Sequence, residues 1–455
     1  MGRENNPSVY EPYGLELIVD DREVERRAGN HITANGGIIM FLPNWVARDF
    51  CKPGRRLKLN KKDLYAMDGI RGLDERWFGS TTPADNADLT LQNEGLSGFA
   101  LADGKSMVRF IDAVGMLGAL IIGQRLARQY DNKWPMYSKF FDNLAALPHH
   151  IHHDDKAAAL VGQMGKPEAY FFPSQLNNFS DGLFPHTFFG LNPGTTKEQL
   201  IACLKRFHLG DNEITALARS YELQVNTGWD VPPGILHAPG SLCTYEPQKA
   251  SDVFAMYQSL TQDKAKVPWG LLWKDTPDQY WKDKAPHEIS DEAYELLANR
   301  LNWQLNLDPK FKEHRFMIPV PVGDMAAMKR DGYIEEWICY RSADFDAKRL
   351  AVLPGKEVMI QDKGAYGFIV LQGHGTIKGL DGPKIQIESP AEIFYGQPTQ
   401  DEGFVTDKAA RQGVLISNPS RMDPIVMLKH RGPGYSDLNR TEVYKQNLEI
   451  QRAGR

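Results

Sequence analysis

Pro148-His149-His150-Ile151-His152-His153-Asp154-Asp155 places four imidazoles and two carboxylates within seven residues, a density that no packed core requires. Imidazole is the commonest metal ligand and is available in its neutral form near pH 7. If the run is extended, its side chains alternate between faces. His150 and His152 then point one way, and His149, Ile151 and His153 the other. An i, i+2 pair of imidazoles grips a metal from one side only, so a carboxylate and a third nitrogen must arrive from elsewhere in the fold.

The chain supplies both downstream. Gly165-Lys166-Pro167-Glu168-Ala169-Tyr170-Phe171-Phe172 is a turn leading into an apolar, aromatic strand with Glu168 at its start. Trp229 to Ala238 contains Pro232-Pro233-Gly234, which reads as a tight turn, followed by His237 on a short apolar segment. Alone, His237 reads as a structural histidine, Glu168 as a surface glutamate, and His149 and His153 as packing or surface residues. Together, His150, His152, Glu168 and His237 make a ligand set suited to one divalent transition metal: Zn, Mn, Fe, Co or Ni. Strand, turn, carboxylate and turn-histidine follow one another in the order a β-barrel metal site requires.

Several of these segments resemble the type I phosphomannose isomerases, the zinc-dependent mannose-6-phosphate isomerases of the cupin superfamily. Trp134 through Lys139 to Asp155 resembles that family's lysine-containing approach to a Gln-x-His-Pro-Asp-Asp motif. His150 stands at the family glutamine and His152 at the family histidine. Gly165 to Phe172 resembles the Lys-Pro-Glu strand, and Pro232 to Ala238 the Pro-x-Gly-x-x-His-Ala segment, which makes Glu168 and His237 ligands. Asp74 to Ser80 resembles a Glu-x-Trp-x-x-Ser motif. Tyr245-Glu246 and Ser251-Asp252 match the glutamate and Ser-Asp that follow the last histidine. The motifs span about residues 70 to 260, and the last third matches more loosely. One departure bears on chemistry: the family's active-site arginine falls at Met256, which offers neither a fixed cation nor a fork of donors. Arg71, Arg76 and Arg341 are the candidates to replace it in space.

The resemblance implies a mainly β fold with helical insertions, built as two cupin-type (jelly-roll) β-barrels plus a helical region. The expected divisions are a metal-binding barrel over 1–104 and 147–261, including an N-terminal arm; a helical insertion over 105–146; a helical connector over 262–330; and a C-terminal, metal-free cupin-like barrel over 331–455. Local patterns agree in part. Ser290 to Leu301 carries capping signals and helical spacing, Asp211 to Leu223 reads as a further helix, and residues 14–60 as strands or an arm. Short strands divided by glycines recur from 333 onward, including Gly367 to Leu371 and Gly413 to Ser417.

Composition bounds the function class. At 455 residues with 42% hydrophobic content, the chain holds more than one core's worth of apolar side chains. A net charge of −5 leaves no basic footprint for nucleic acid. Cys51, Cys203, Cys243 and Cys339 are widely spaced, which fits reduced thiols rather than a disulfide framework. The first residues are polar and lack an apolar signal region, and Val114 to Gly123 is too short to span a bilayer. A cytoplasmic protein without a membrane or nucleic-acid partner is expected, acting on a sugar or sugar phosphate, with homo-oligomerisation left open.

The activity implied is aldose–ketose isomerisation, mannose 6-phosphate to fructose 6-phosphate or a related sugar. It needs a group that moves a proton between C1 and C2. Glu246 is the preferred candidate, with Asp155, Lys156 and Asp252 also considered and Lys139 as a contact to an anion or the substrate. Asp154, Asp155 and Asp252 also have plainer readings, as residues that orient imidazoles or cap turns. Two readings from other classes stand beside the isomerase: a non-catalytic metal-containing cupin that binds a carbohydrate, and a cupin dioxygenase.

Overall fold

The computed structural model describes residues 6–177, 184–379 and 381–453; the outermost ends of the first and last expected divisions lie outside these residues. The fold is mainly β with helical parts, as expected. Among the described residues the strands form five sheets, and the two largest have seven strands each. None closes into a ring of paired strands. The two expected barrels are realised as facing pairs of open sheets.

In the first pair, a seven-stranded sheet runs Phe316–Met317, Gly228–Val231, Glu168–Phe171, Thr244–Lys249, Met136–Phe141, Gly72–Phe78, Asn44–Arg48. A five-stranded sheet faces it, in the order Ala218–Glu222, His186–Leu191, His237–Ala238, His150–Ile151, Ala255–Met256. Tyr170 and Trp229 of the larger sheet and Phe189 of the smaller one belong to the same apolar cluster. In the second pair, Leu350, Phe368 and Met427 of a seven-stranded sheet share a core with Ile360, Ile377 and Ile416 of a four-stranded one. The two halves are stitched together. Strand Ile38–Met40, near the start of the chain, pairs with Glu402–Val405 at the edge of the late sheet, and Arg76 makes a two-pronged ion pair with Asp401 at 2.7 and 2.8 Å.

Three stretches differ from their sequence reading. Asp21–Ala34 is a helix, capped by Asp20 and burying Val24, Ala28 and Ile32 at four-residue spacing; its stripe is one residue wide on a polar background. The expected helical insertion over 105–146 is helical only over Phe110–Ile121 and Gly123–Gln129. Met136–Phe141 is a strand in the middle of the first large sheet, buried on both faces and therefore without alternation. Asp211 to Leu223 is not an α-helix: Glu213 takes a left-handed conformation (φ 61°), a short 3-10 turn follows, and Ala218–Glu222 pairs with His186–Leu191. Edge pairing outweighs helical propensity there. From 262 to 330 the chain is helical in short pieces, Asp291–Asn299 among them. Among the described residues no helix is long and apolar enough to cross a membrane.

Candidate metal centre and active-site cavity

The two facing sheets bring different chemistry to one cavity. In the five-stranded sheet, His237, His150 and Met256 lie side by side in register on three adjacent strands. The i, i+2 alternation places His152 beside them: the ring centroids of His150, His152 and His237 are 4.3 to 5.1 Å apart, and one ligand atom from each lies within 4.8 Å of the others. His149 and His153 face away, to Gln258 (Nδ1 to Oε1, 2.6 Å) and to the Asp275 carbonyl (3.2 Å).

His237 reaches the cluster through the Pro232-Pro233-Gly234 turn. Gly234 has φ +81°, and a Cβ there would sit 2.9 Å from the Asn302 nitrogen, so both backbone and space select glycine.

The Nδ1 of each clustered imidazole lies against a backbone carbonyl: His150 to Pro148 (2.8 Å), His152 to Val253 (2.8 Å) and His237 to Ile235 (2.9 Å). As donors to these carbonyls, the Nδ1 atoms leave each Nε2 with a free lone pair, the arrangement that orients metal-binding histidines. Burial, reinforced by neighbouring His237 and His152, holds His150 well below its ordinary pKa, and burial brings His152 down to about 4. Both are neutral near pH 7.

Glu168 arrives from the opposite sheet. Its oxygens lie 3.0 Å from His152 Nε2 and 3.1 Å from His237 Nε2, and Tyr170 Oη donates to Oε1. Burial alone would raise this carboxyl, but contact with His152 and His237 outweighs it and holds the group well below the usual carboxylate range. The buried His237 Nε2 and Glu168 Oε2 have no hydrogen-bond partner. Three imidazole lone pairs and a carboxylate, all buried and converging, fit a divalent cation.

The facing wall is ionic. Lys139 stands opposite Glu246 in the strand register, with Nζ 3.3 Å from Glu75 and 3.5 Å from Glu246. Burial opposes the Lys139 charge, but Glu246 and Glu75 more than offset it and keep the ammonium protonated. Glu246 differs: burial, then the charge of Glu168, pushes its carboxyl well above the ordinary range against the pull of Lys139 and Lys166. A carboxyl raised in this way holds its proton to higher pH than an exposed one, which suits it to proton transfer. The cavity is narrow, about 30 Å³, and opens to solvent, with Phe50, Phe141 and Phe254 among its apolar walls.

The structure therefore brings His150, His152, Glu168, His237, Lys139 and Glu246 together. Asp155 lies apart: its side chain is 73% exposed, begins a short helix and pairs with Lys249 at 2.9 Å. Of the arginines considered for the place of Met256, Arg76 serves the junction between halves, Arg71 pairs with Asp68, and Arg341 lies by Asp230. The arginine that lines the cavity is Arg48, with Lys166 beside it. Sequence reasoning missed both. Arg48 ends a strand far upstream of every ligand, and in the sequence Lys166 reads as part of a turn; the Lys-Pro-Glu motif that carries Lys166 is the available signal.

No protein-family model matches the sequence, and no relative was found among curated proteins. Solved structures do match. A zinc-bound mannose 6-phosphate isomerase superposes with a TM-score of 0.57 over 88% of this chain and 100% of its own, at 11% identity. The mannose 6-phosphate isomerase of Bacillus subtilis gives 0.55, covering 87% and 99%, at 14% identity. A point mutant of the phosphomannose isomerase of Salmonella typhimurium gives 0.57, covering 88% and 100%, at 10% identity. The fold is that of the phosphomannose isomerases. At such identities the likeness concerns the chain path, and the chemistry rests on the cavity itself.

Proposed function

We propose that this protein is a divalent-metal-dependent aldose–ketose isomerase, converting mannose 6-phosphate to fructose 6-phosphate or isomerising a related sugar. His150, His152, Glu168 and His237 are its metal ligands. The observation that carries this reading is the convergence of three Nε2 lone pairs and the Glu168 carboxylate inside a cavity whose far wall holds a buried carboxyl, Glu246. The fold shared with mannose 6-phosphate isomerases supports it.

A divalent ion on these four side chains would supply Lewis-acid polarisation of a sugar carbonyl. The chain's own groups do the rest. Glu246 takes the proton from C2 of the open-chain aldose and returns it to C1, while a hydroxyl proton passes from O2 to O1, so atoms balance without a redox partner. Lys139, bound to Glu246 and Glu75, positions the carboxyl and donates to sugar oxygens. Phe50 and Phe254, which meet edge to face in the lining, give the cavity an apolar side that limits water.

The test is metal content and isomerisation of mannose and mannose 6-phosphate, on protein purified without a histidine tag, for wild type, His152→Ala and Glu246→Gln. Stoichiometric metal and turnover in the wild type, both lost in His152→Ala, are expected. Glu246→Gln should keep its metal and lose at least ~10²-fold in kcat. Metal without turnover would leave a carbohydrate-binding protein, and oxygen consumption with iron a dioxygenase. A wild type that holds no tight metal would overturn the ligand assignment.

A further inference from the structure

Every side-chain cation that lines this cavity is already paired before a ligand enters, and a metal ion would be held by its own four ligands. Three cations line it: Arg48, Lys139 and Lys166. Arg48 lies 3.3 Å from Asp252 and 3.4 Å from Glu75. Lys139 lies 3.3 Å from Glu75 and 3.5 Å from Glu246, and Lys166 lies 3.7 Å from Asp252 and 3.9 Å from Glu168. Each cation thus has two carboxyl groups within reach, and every one of these side chains is buried. Lys274, whose ammonium sits over the Phe254 ring, is bound to Asp85. The remaining lining position that faces the histidines across the strand pairing, Met256, is apolar.

A phosphate monoester carries close to two negative charges near pH 7 and is gripped by charge-assisted donors, usually arginine forks, lysines or helix N-termini. To serve one here, Arg48 or Lys166 must give up its share of Asp252, a buried carboxylate that both hold, and with both turned away that charge is stranded, a costly exchange. A neutral polyhydroxy ligand makes no such demand. Carboxylate oxygens keep acceptor capacity and ammonium groups keep donors after pairing, so sugar hydroxyls can bridge the existing ion pairs without breaking them. The apolar faces of Phe50, Phe141 and Phe254 suit the C–H side of a sugar.

We propose that the cavity takes an uncharged aldose or ketose and discriminates against its phosphate ester. The proposal rests on the isomerase reading of this site and narrows its substrate class. The test uses metal-loaded, full-length protein and measures two things separately: calorimetric binding of D-mannose, D-fructose and their 6-phosphates, and deuterium exchange at C1 and C2 by proton NMR. At least tenfold tighter binding of the free sugars is expected. Met256→Arg, which adds an unmatched cation opposite His150, should move the preference at least tenfold toward the esters, and Asp252→Asn, which releases Arg48 and Lys166, should move it the same way.

Tighter binding of the esters by the wild type, or binding of neither class, overturns the proposal even where a variant fails to fold. Turnover of esters alone sinks the proposal and leaves the isomerase standing. Preferred binding of free sugars without hydrogen exchange does the reverse.

Discussion

Arg48→Met is the substitution whose cost the structure defines most sharply. The guanidinium is buried, and it serves two carboxylates: Asp252 accepts from Nη2 at 3.3 Å through both oxygens, and Glu75 lies 3.4 Å from Nε. Nη1 also donates to Asn86 at 3.0 Å. At an effective dielectric of about 20, each charge pair at that distance is worth about 5 kcal/mol of Coulomb attraction. Most of this is cancelled by the desolvation of the three groups, so the pair as a whole contributes little. Removing the cation alone leaves the desolvation cost of Asp252 and Glu75 uncompensated, which for buried pairs amounts to about 3–5 kcal/mol. Lys166 remains 3.7 Å from Asp252 and Lys139 remains 3.3 Å from Glu75, so the lower end, about 3 kcal/mol, is expected. Asp252→Asn in the same chain should recover part of that loss, because the stranded charge is gone. Urea unfolding of metal-free protein, followed by tryptophan fluorescence, measures the four corners of the cycle. The guanidinium sits over the Trp77 ring at 5.7 Å, so that fluorophore reports on the site directly. A loss below about 1 kcal/mol for Arg48→Met, or strict additivity of the two substitutions, would refute the view of a closed ionic lattice around the cavity.

Two further perturbations test neighbouring parts of the argument. Tyr170→Phe removes the hydroxyl that donates to Glu168; metal affinity by competition with a chelator should fall 10- to 100-fold as a rough range, and unchanged affinity would deny the tyrosine any part in orienting the ligand. His430 is fully buried with Nδ1 3.0 Å from the Tyr245 hydroxyl, and burial lowers its pKa to about 3. Its folded pKa lies below the unfolded value of about 6.5, so its contribution is complete above that pH and is lost as pH falls toward 3, at roughly 1.4 kcal/mol per unit. Urea midpoints at pH 7 and pH 5 should therefore separate more for the wild type than for His430→Gln; equal separations would show that this imidazole is not the group that charges.

The metal cluster was legible in the sequence because its parts are local. His150 and His152 sit at strand spacing, the Pro-Pro-Gly turn before His237 demands its glycine, and Glu168 opens an aromatic strand, so each piece carries its own signature. The ionic wall was not legible, since its members gain meaning only by register. Lys139 faces Glu246 because two strands more than a hundred residues apart pair in one phase, and Arg48 meets Asp252 across 204 positions of chain. Helix Asp21–Ala34 escaped for a different reason: Val24, Ala28 and Ile32 form a stripe too narrow to stand out from its charged surroundings. Met136–Phe141, buried on both faces, offers no alternation to read.

The late pair of sheets sharpens what distinguishes a site from a brace. It too carries charge in its interior: Asp362 accepts from Lys348 at 2.7 Å and Lys429 at 2.6 Å, and Arg431 binds Asp346 at 2.6 and 3.1 Å. The side chains of Asp362, Lys429, Arg431 and Asp346 are completely buried. The aromatic faces of Trp337 and Tyr366 cover the cations at 4.7 to 5.0 Å. Cations and carboxylates there satisfy one another directly. In the early pair the same kinds of residue surround open space, and the imidazole cluster presents donor atoms that meet no proton donor of their own. An ion network closed on itself gives specificity of packing. One that borders a cavity and leaves His237 Nε2 and Glu168 Oε2 unmatched retains binding capacity. On that physical difference, more than on likeness of chain path, rests the assignment of chemistry to the early half of the molecule.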